Sequence, residues 1–316
     1  MTLREQLRCM RLYIDLKSPK SAAVVFSSIR YCCCLVLMST NLIGGVSFCL
    51  TAQAVSPPEQ GLDYVGHSTQ AVTYPPEVGV SAPEIAKQVT VRILTKSGSG
   101  SGVIVKRDGQ IYTVLTNHHV VADSPEKDYQ VLTFDGQMYQ ARGRSEAKFG
   151  TLDLALVEFT SNGDYQVVVF GKSQAVSEGE IVYAAGFPAW HFTWTGDMIS
   201  RFEETRHWGV RAFQLTTGTL KMQLAKTLPG GYQIGYTNDV TQGMSGGPVL
   251  NQKGELIAIN GLLKYPFQGI NAFIFADGDV PDEQLYQQME ALSWAIPIAN
   301  ISSLLEEPKT SDETGL

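Results

Sequence analysis

From residue 89 to about residue 300 the chain is cut into short apolar or alternating runs separated by turn signals. Residues 89–94, 102–106, 111–116, 130–134, 154–159, 181–186, 248–251 and 255–260 each carry strand-like patterning. Asp108-Gly109, Asp135-Gly136 and Lys253-Gly254 supply tight turns between them. Punctuation this frequent leaves no length for long helices. Many short strands at this spacing predict an all-β domain of about 210 residues, built as a sandwich or as barrels. The 44% hydrophobic and 17% charged content is that of a globular chain and excludes disorder over most of the length. No internal repeat is present, and there is no room for a second domain of ordinary size. Residues 291–296 read as a short helix or an extended segment that closes the unit.

The first 54 residues read as a targeting segment. Arg4, Arg8, Arg11, Lys17, Lys20 and Arg30 precede an apolar run over residues 31–50, and Ala52-Gln53-Ala54 has the small-x-small pattern of a signal-peptidase site. The competing reading is an uncleaved anchor, because the run is long enough to span a hydrocarbon core of ~30 Å. All five cysteines, Cys9, Cys32, Cys33, Cys34 and Cys49, lie in this segment. Cleavage would therefore leave a cysteine-free exported protein without disulfides, thiol chemistry or stable membrane insertion. Phe48 before Cys49 argues against a lipoprotein site. Cleavage also leaves 18 basic and 29 acidic residues, a net charge of −11 that argues against nucleic-acid binding. Residues 55–84, with Pro57, Pro58, Pro75, Pro76 and Pro83, read as a linker or short pro-segment, and residues 301–316 as a polar tail.

Three motifs carry chemistry. Gly243-Met244-Ser245-Gly246-Gly247-Pro248 holds a serine in a glycine-rich turn, where backbone N–H groups of Gly243 and Ser245 can converge on one oxyanion. Its bland alternative is a hairpin loop. Thr116-Asn117-His118-His119-Val120 places imidazoles at the end of the apolar run 111–115, as a general base requires. Thr151-Leu152-Asp153-Leu154 places a carboxylate at the head of another run, where it can orient an imidazole or merely cap a turn.

Together these motifs resemble the chymotrypsin-like serine proteases, and most nearly the cysteine-poor bacterial branch of high-temperature-requirement proteases and glutamyl endopeptidases. The resemblance runs over residues 89–298. It includes Ser99-Gly100-Ser101-Gly102-Val103-Ile104, Ala185-Gly186-Phe187-Pro188 and Ile257-Ala258-Ile259-Asn260-Gly261 besides the three motifs. It implies two six-stranded antiparallel β-barrels, at about 85–165 and 175–300, with the active site between them. It further implies a triad of His119, Asp153 and Ser245 with Gly243 and Ser245 as oxyanion donors, protein or peptide substrates, and no cofactor. His118 then takes a structural place. Met244 stands where trypsin has an aspartate, so that activation switch is missing, and too few residues follow Ile298 for a C-terminal peptide-binding module.

Asp239, six residues before Ser245, falls where trypsin has the acidic floor of its primary pocket; it either selects basic side chains or caps a turn. Thr241, Asn260 and Gly261 are the other expected pocket residues. The aromatic stretch 190–208, with His191 and His207, reads as hairpin packing or a substrate-facing loop. A catalytically inactive homologue acting as a protein-binding module is the alternative function. A Gly-x-Ser-x-Gly hydrolase is excluded by the serine motif and by the histidine preceding the serine. Five scattered histidines show no metal-ligand spacing, and Asp277-Gly278-Asp279 alone does not define a calcium site.

Overall fold

The computed structural model describes residues 80–124, 128–144, 149–171, 177–195 and 198–300. The expected signal segment, most of the linker and the polar tail lie outside the described residues. A helix α1, Ala82–Val89, opens the described part; Ser81 caps its first turn by accepting from Glu84 N, and Pro83 occupies an early helical position.

The first barrel is closed by β1 (Thr90–Leu94), β2 (Ser99–Asp108), β3 (Ile111–Thr116), β4 (Asp128–Leu132), β5 (Met138–Gly143) and β6 (Ala155–Thr160), in spatial order β1-β2-β3-β6-β5-β4. The second is closed by β7 (Ile181–Gly186), β10 (Gln214–Gln223), β11 (Ile234–Tyr236), β12 (Pro248–Leu250), β13 (Leu256–Leu262) and β14 (Ser293–Pro297), in the order β10-β11-β14-β13-β12-β7. All neighbouring strands are antiparallel, so this is the all-β two-barrel fold of the trypsin-like type. Between β7 and β10 the aromatic stretch forms a separate hairpin of β8 (Trp190–Thr195) and β9 (Met198–Glu204). Residues 291–296 are mostly extended, in β14. A helix α3, Glu283–Glu290, precedes them, and Asp282 caps it by accepting from Leu285 N.

Several strands are apolar on both faces, and the packing explains it. Side chains alternate across a strand. Ile104, Val114 and Val157 point into the first barrel, with Tyr112 and Phe159. Their chain neighbours Val103, Leu115 and Leu156 point out of it. Ile257, Ala258 and Ala295 fill the second barrel, while Leu256, Ile259, Trp294 and Ile296 join Val103, Leu115 and Leu156 in one seam between the barrels. A strand with a core on either side reads as a continuous apolar run instead of an alternating one. The motif residues sit at the ends of these seam strands.

Candidate active site

Register brings the first two candidates together. Thr116, the last residue of β3, pairs with Ala155, the first of β6. Continuing β3 leads through Asn117 into the short helix α2, His118–Val121, and preceding β6 is Asp153. The His119 and Asp153 side chains therefore leave the same barrel edge. His119 Nδ1 lies 2.6 Å from Asp153 Oδ2, and the His119 backbone N–H donates to Oδ1 at 2.9 Å. The same carboxylate oxygen Oδ2 accepts from the Tyr232 hydroxyl at 2.6 Å. Asn117 Nδ2 donates to the Asp153 carbonyl at 2.8 Å, and Asp153 N donates to Gly230 O at 2.9 Å.

The electrostatics follow from that geometry. Burial by itself pushes the Asp153 carboxyl up, but the His119 ring bond and charge, the Tyr232 hydroxyl and the His119 N–H outweigh it. The group is held below the usual carboxylate value and stays ionised. Burial, then the charge and hydrogen bond of Asp153, push the Tyr232 phenol well above its ordinary value. His119 is half exposed at 49%, against 18% for Asp153, so the imidazole faces solvent while its partner is covered. His118 is exposed at the start of α2 and takes no part in this arrangement.

The serine turn comes from the second barrel, and its peptide planes are fixed by their carbonyls. Gln242 O accepts from Ala189 N at 2.7 Å. Met244 O accepts from Asn260 Nδ2 at 3.0 Å and from Gly247 N at 3.1 Å. A trans peptide directs its N–H opposite to its C=O, so the N–H groups of Gly243 and Ser245 are both aimed away from these anchors. Neither has a hydrogen-bond partner among the described residues. The intervening Met244 N–H turns the other way, to Thr241 O at 3.0 Å. Gly243 has φ +94°, and a Cβ there would lie 2.4 Å from Ala189 N, so glycine is required on both counts.

The turn is held to the first barrel by Ser101 of β2. Ser101 N donates to Ser245 O at 2.8 Å; its hydroxyl donates to Gly243 O and accepts from Phe187 N, each at 2.8 Å. Thr116 Oγ1 donates to Ser101 O at 2.7 Å. A Cβ on Gly246 would stand 2.2 Å from Thr116 Oγ1 and 3.1 Å from Asn117 N, which shows how closely the serine turn abuts the residues leading to His119. Ser245 Oγ donates to Gly261 O at 3.2 Å, and it makes no hydrogen bond to the His119 ring.

The expected pocket residues divide. Gly261 touches Ser245 as described. Asn260 is fully buried behind the turn: its O accepts from Gly246 N at 2.8 Å, its N donates to Gly247 O at 3.0 Å and its Oδ1 accepts from the Tyr236 hydroxyl. These bonds brace the serine loop. Thr241 Oγ1 is buried without a hydrogen-bond partner. Asp239 lies at the surface. Its side chain is 85% exposed, and Oδ1 accepts from Lys264 Nζ at 2.5 Å. Lys264 also donates to Thr237 O at 2.6 Å. In this structure the Asp239 carboxylate is thus solvated and matched by an ammonium. Asp277 and Asp279 likewise pair with Lys226. Among the described residues no group of three or more His, Cys, Asp or Glu could hold a metal ion.

Two closed antiparallel barrels, with a histidine–aspartate pair on one and a glycine-flanked serine turn on the other, define a trypsin-like peptidase domain. The family model of the trypsin-like peptidase domain matches residues 100–259, half of the chain, and the chain belongs to that family. It is 26% identical over 216 residues to the serine protease Do-like HtrA of Bacillus subtilis (strain 168), an alignment covering 67% of this chain and 40% of that protein. It is 30% identical over 179 residues to Do-like HtrB of the same organism, covering 56% of this chain and 35% of that one. Against the serine protease HTRA4 of Homo sapiens it is 30% identical over 165 residues, covering 52% and 30%. The similarity is thus moderate and spread over several branches, and the chain spans less than half the length of these relatives.

Proposed function

We propose that the protein is an exported serine endopeptidase that works through an acyl-enzyme on Ser245. The observation that carries this reading is the ionised, three-donor Asp153 holding His119 in orientation beside a serine turn with two unpartnered N–H groups. In the reaction Ser245 Oγ leaves Gly261 O for a neighbouring rotamer and attacks the scissile carbonyl. His119 takes its proton, and the N–H groups of Gly243 and Ser245 hold the oxyanion. His119 then protonates the leaving amine as the C–N bond breaks, and water, activated by the same imidazole, hydrolyses the ester. Catalytic hydrogen bonds often tighten only when substrate is bound, which accommodates the Ser245–Gly261 contact.

Residues 1–54 are the export signal, 55–84 the linker or pro-segment and 85–300 the peptidase domain in this reading, with polypeptides as substrates. Among the described residues no helix is long and apolar enough to cross a membrane. The Ser245–Gly261 bond is also the one observation favouring the second reading, an inactive homologue that binds protein. A fluorophosphonate separates the two. The first reading expects covalent labelling at Ser245, abolished in Ser245→Ala; a folded wild-type protein that stays unlabelled, even after removal of residues 55–79, supports the second.

A further inference from the structure

Tyr232 belongs to no catalytic motif, and its contact with Asp153 spans 79 positions of sequence. It follows the 3₁₀ turn Pro229–Gly231 of the second barrel, a turn closed by Leu228 N donating to Tyr232 O at 2.9 Å. The side chain is buried, at 7% exposure, and its hydroxyl meets the carboxylate oxygen that faces the His119 ring. The rest of the site makes room for it. Gly261, which lies beside Ser245, would with a Cβ come 2.2 Å from the Tyr232 hydroxyl and 2.8 Å from Asn117 Oδ1. No side chain larger than hydrogen fits there while the tyrosine reaches Asp153.

Of the three donors to this carboxylate, two belong to His119, whose ring changes its proton inventory during turnover. The phenol keeps its proton and is the one donor that does not belong to His119. We propose that Tyr232 is a positioning residue for the triad: its hydroxyl fixes the Asp153 carboxylate, and through it the His119 ring, from the barrel that carries Ser245. The inference deepens the peptidase reading above and rests on it. The Gly230 carbonyl, two residues earlier, holds Asp153 N, so the same turn grips the aspartate by backbone and side chain.

The test is Tyr232→Phe in the full chain, which deletes one oxygen and keeps the ring. Three quantities are measured: kcat and KM on a peptide substrate, the pH titration of the His119 ring by NMR, and the melting temperature. Loss of one hydrogen bond to a charged group is expected to lower kcat about tenfold with KM unchanged. The less well solvated Asp153 then attracts the imidazolium more strongly, moving the His119 midpoint to higher pH. A folded variant with wild-type kcat and an unmoved His119 titration overturns the proposal. So does a KM effect without any change in titration, which marks a packing role. Should Tyr232→Phe not fold, ¹³Cζ-tyrosine spectra of the wild type and Asp153→Asn decide: the Tyr232 resonance must shift, and an unshifted one overturns the proposal. If wild-type protein fails to label with fluorophosphonate, the peptidase reading falls, while the His119 titration still reports whether Tyr232 acts on the pair.

Discussion

Asp153 and Asp239 are both aspartates near the serine turn, yet their surroundings differ in every respect that matters to chemistry. Asp153 is 18% exposed and accepts from three donors fixed by α2 and by the turn before β11, whereas Asp239 is 85% exposed and meets the ammonium of Lys264. Water can replace most of what Lys264 gives Asp239, because exposed ion pairs contribute at most about 1 kcal/mol. It cannot replace the shell around Asp153 without opening the barrel edge. A carboxylate acquires a role when its neighbours fix its charge and its direction; closeness to the nucleophile in sequence does not suffice.

Breaking the stronger side of this contrast has the largest expected effect. Asp153→Asn leaves the geometry nearly intact but removes the charge that orients the imidazole, and kcat is expected to fall by about 10³–10⁴, measured by burst titration and turnover. Gly261→Ala drives a methyl group into the Tyr232 hydroxyl. It is expected to cost about 1–3 kcal/mol by overpacking, read by urea denaturation, together with a kcat loss at least as large as that of Tyr232→Phe. A pH series sharpens the contrast further. The Asp153 pKa is depressed in the folded state, so its stabilisation is fully present above the unfolded carboxylate value and is lost as pH falls through the native one. The urea-midpoint difference between wild type and Asp153→Asn should therefore shrink as pH falls through the acidic range below the ordinary carboxylate value. The smallest effect is expected at the other aspartate: Asp239→Asn should change kcat/KM less than twofold for Arg, Lys or apolar residues at the cleavage site. A selective loss of Arg and Lys cleavage in a peptide library would establish Asp239 as a pocket residue.

What could be read from the chain alone follows the range of each interaction. His119 and Asp153 stand at the ends of apolar runs that pair in register, so short motifs beside strand signals announce them. The serine turn is announced by glycines whose backbone demands are local. Tyr232 has no such signal, since its partner lies 79 residues away and its role depends on a glycine, Gly261, being empty. The partner of Asp239, Lys264, likewise comes 25 residues later, beyond any motif. Strands β5 and β10 escape the pattern because most of their positions are exposed or half-buried, β11 because three buried residues are too few to show a period, and α3 is too short to show a helical one. The continuous apolar runs, by contrast, mark the seam strands plainly.

Ser101 binds two carbonyls of the serine turn from the opposite barrel, while Gly230 and Tyr232 bind Asp153 in the other direction. The site is thus stitched through the seam, with hydrogen bonds that water would compete for as soon as the barrels part. In the proposed peptidase reading, hydration of that seam is expected to act as an inhibitor. On that reading each barrel would keep its own strands while turnover stops, so catalytic competence would gauge how dry the joint between the barrels is, before any fraction of the chain has unfolded.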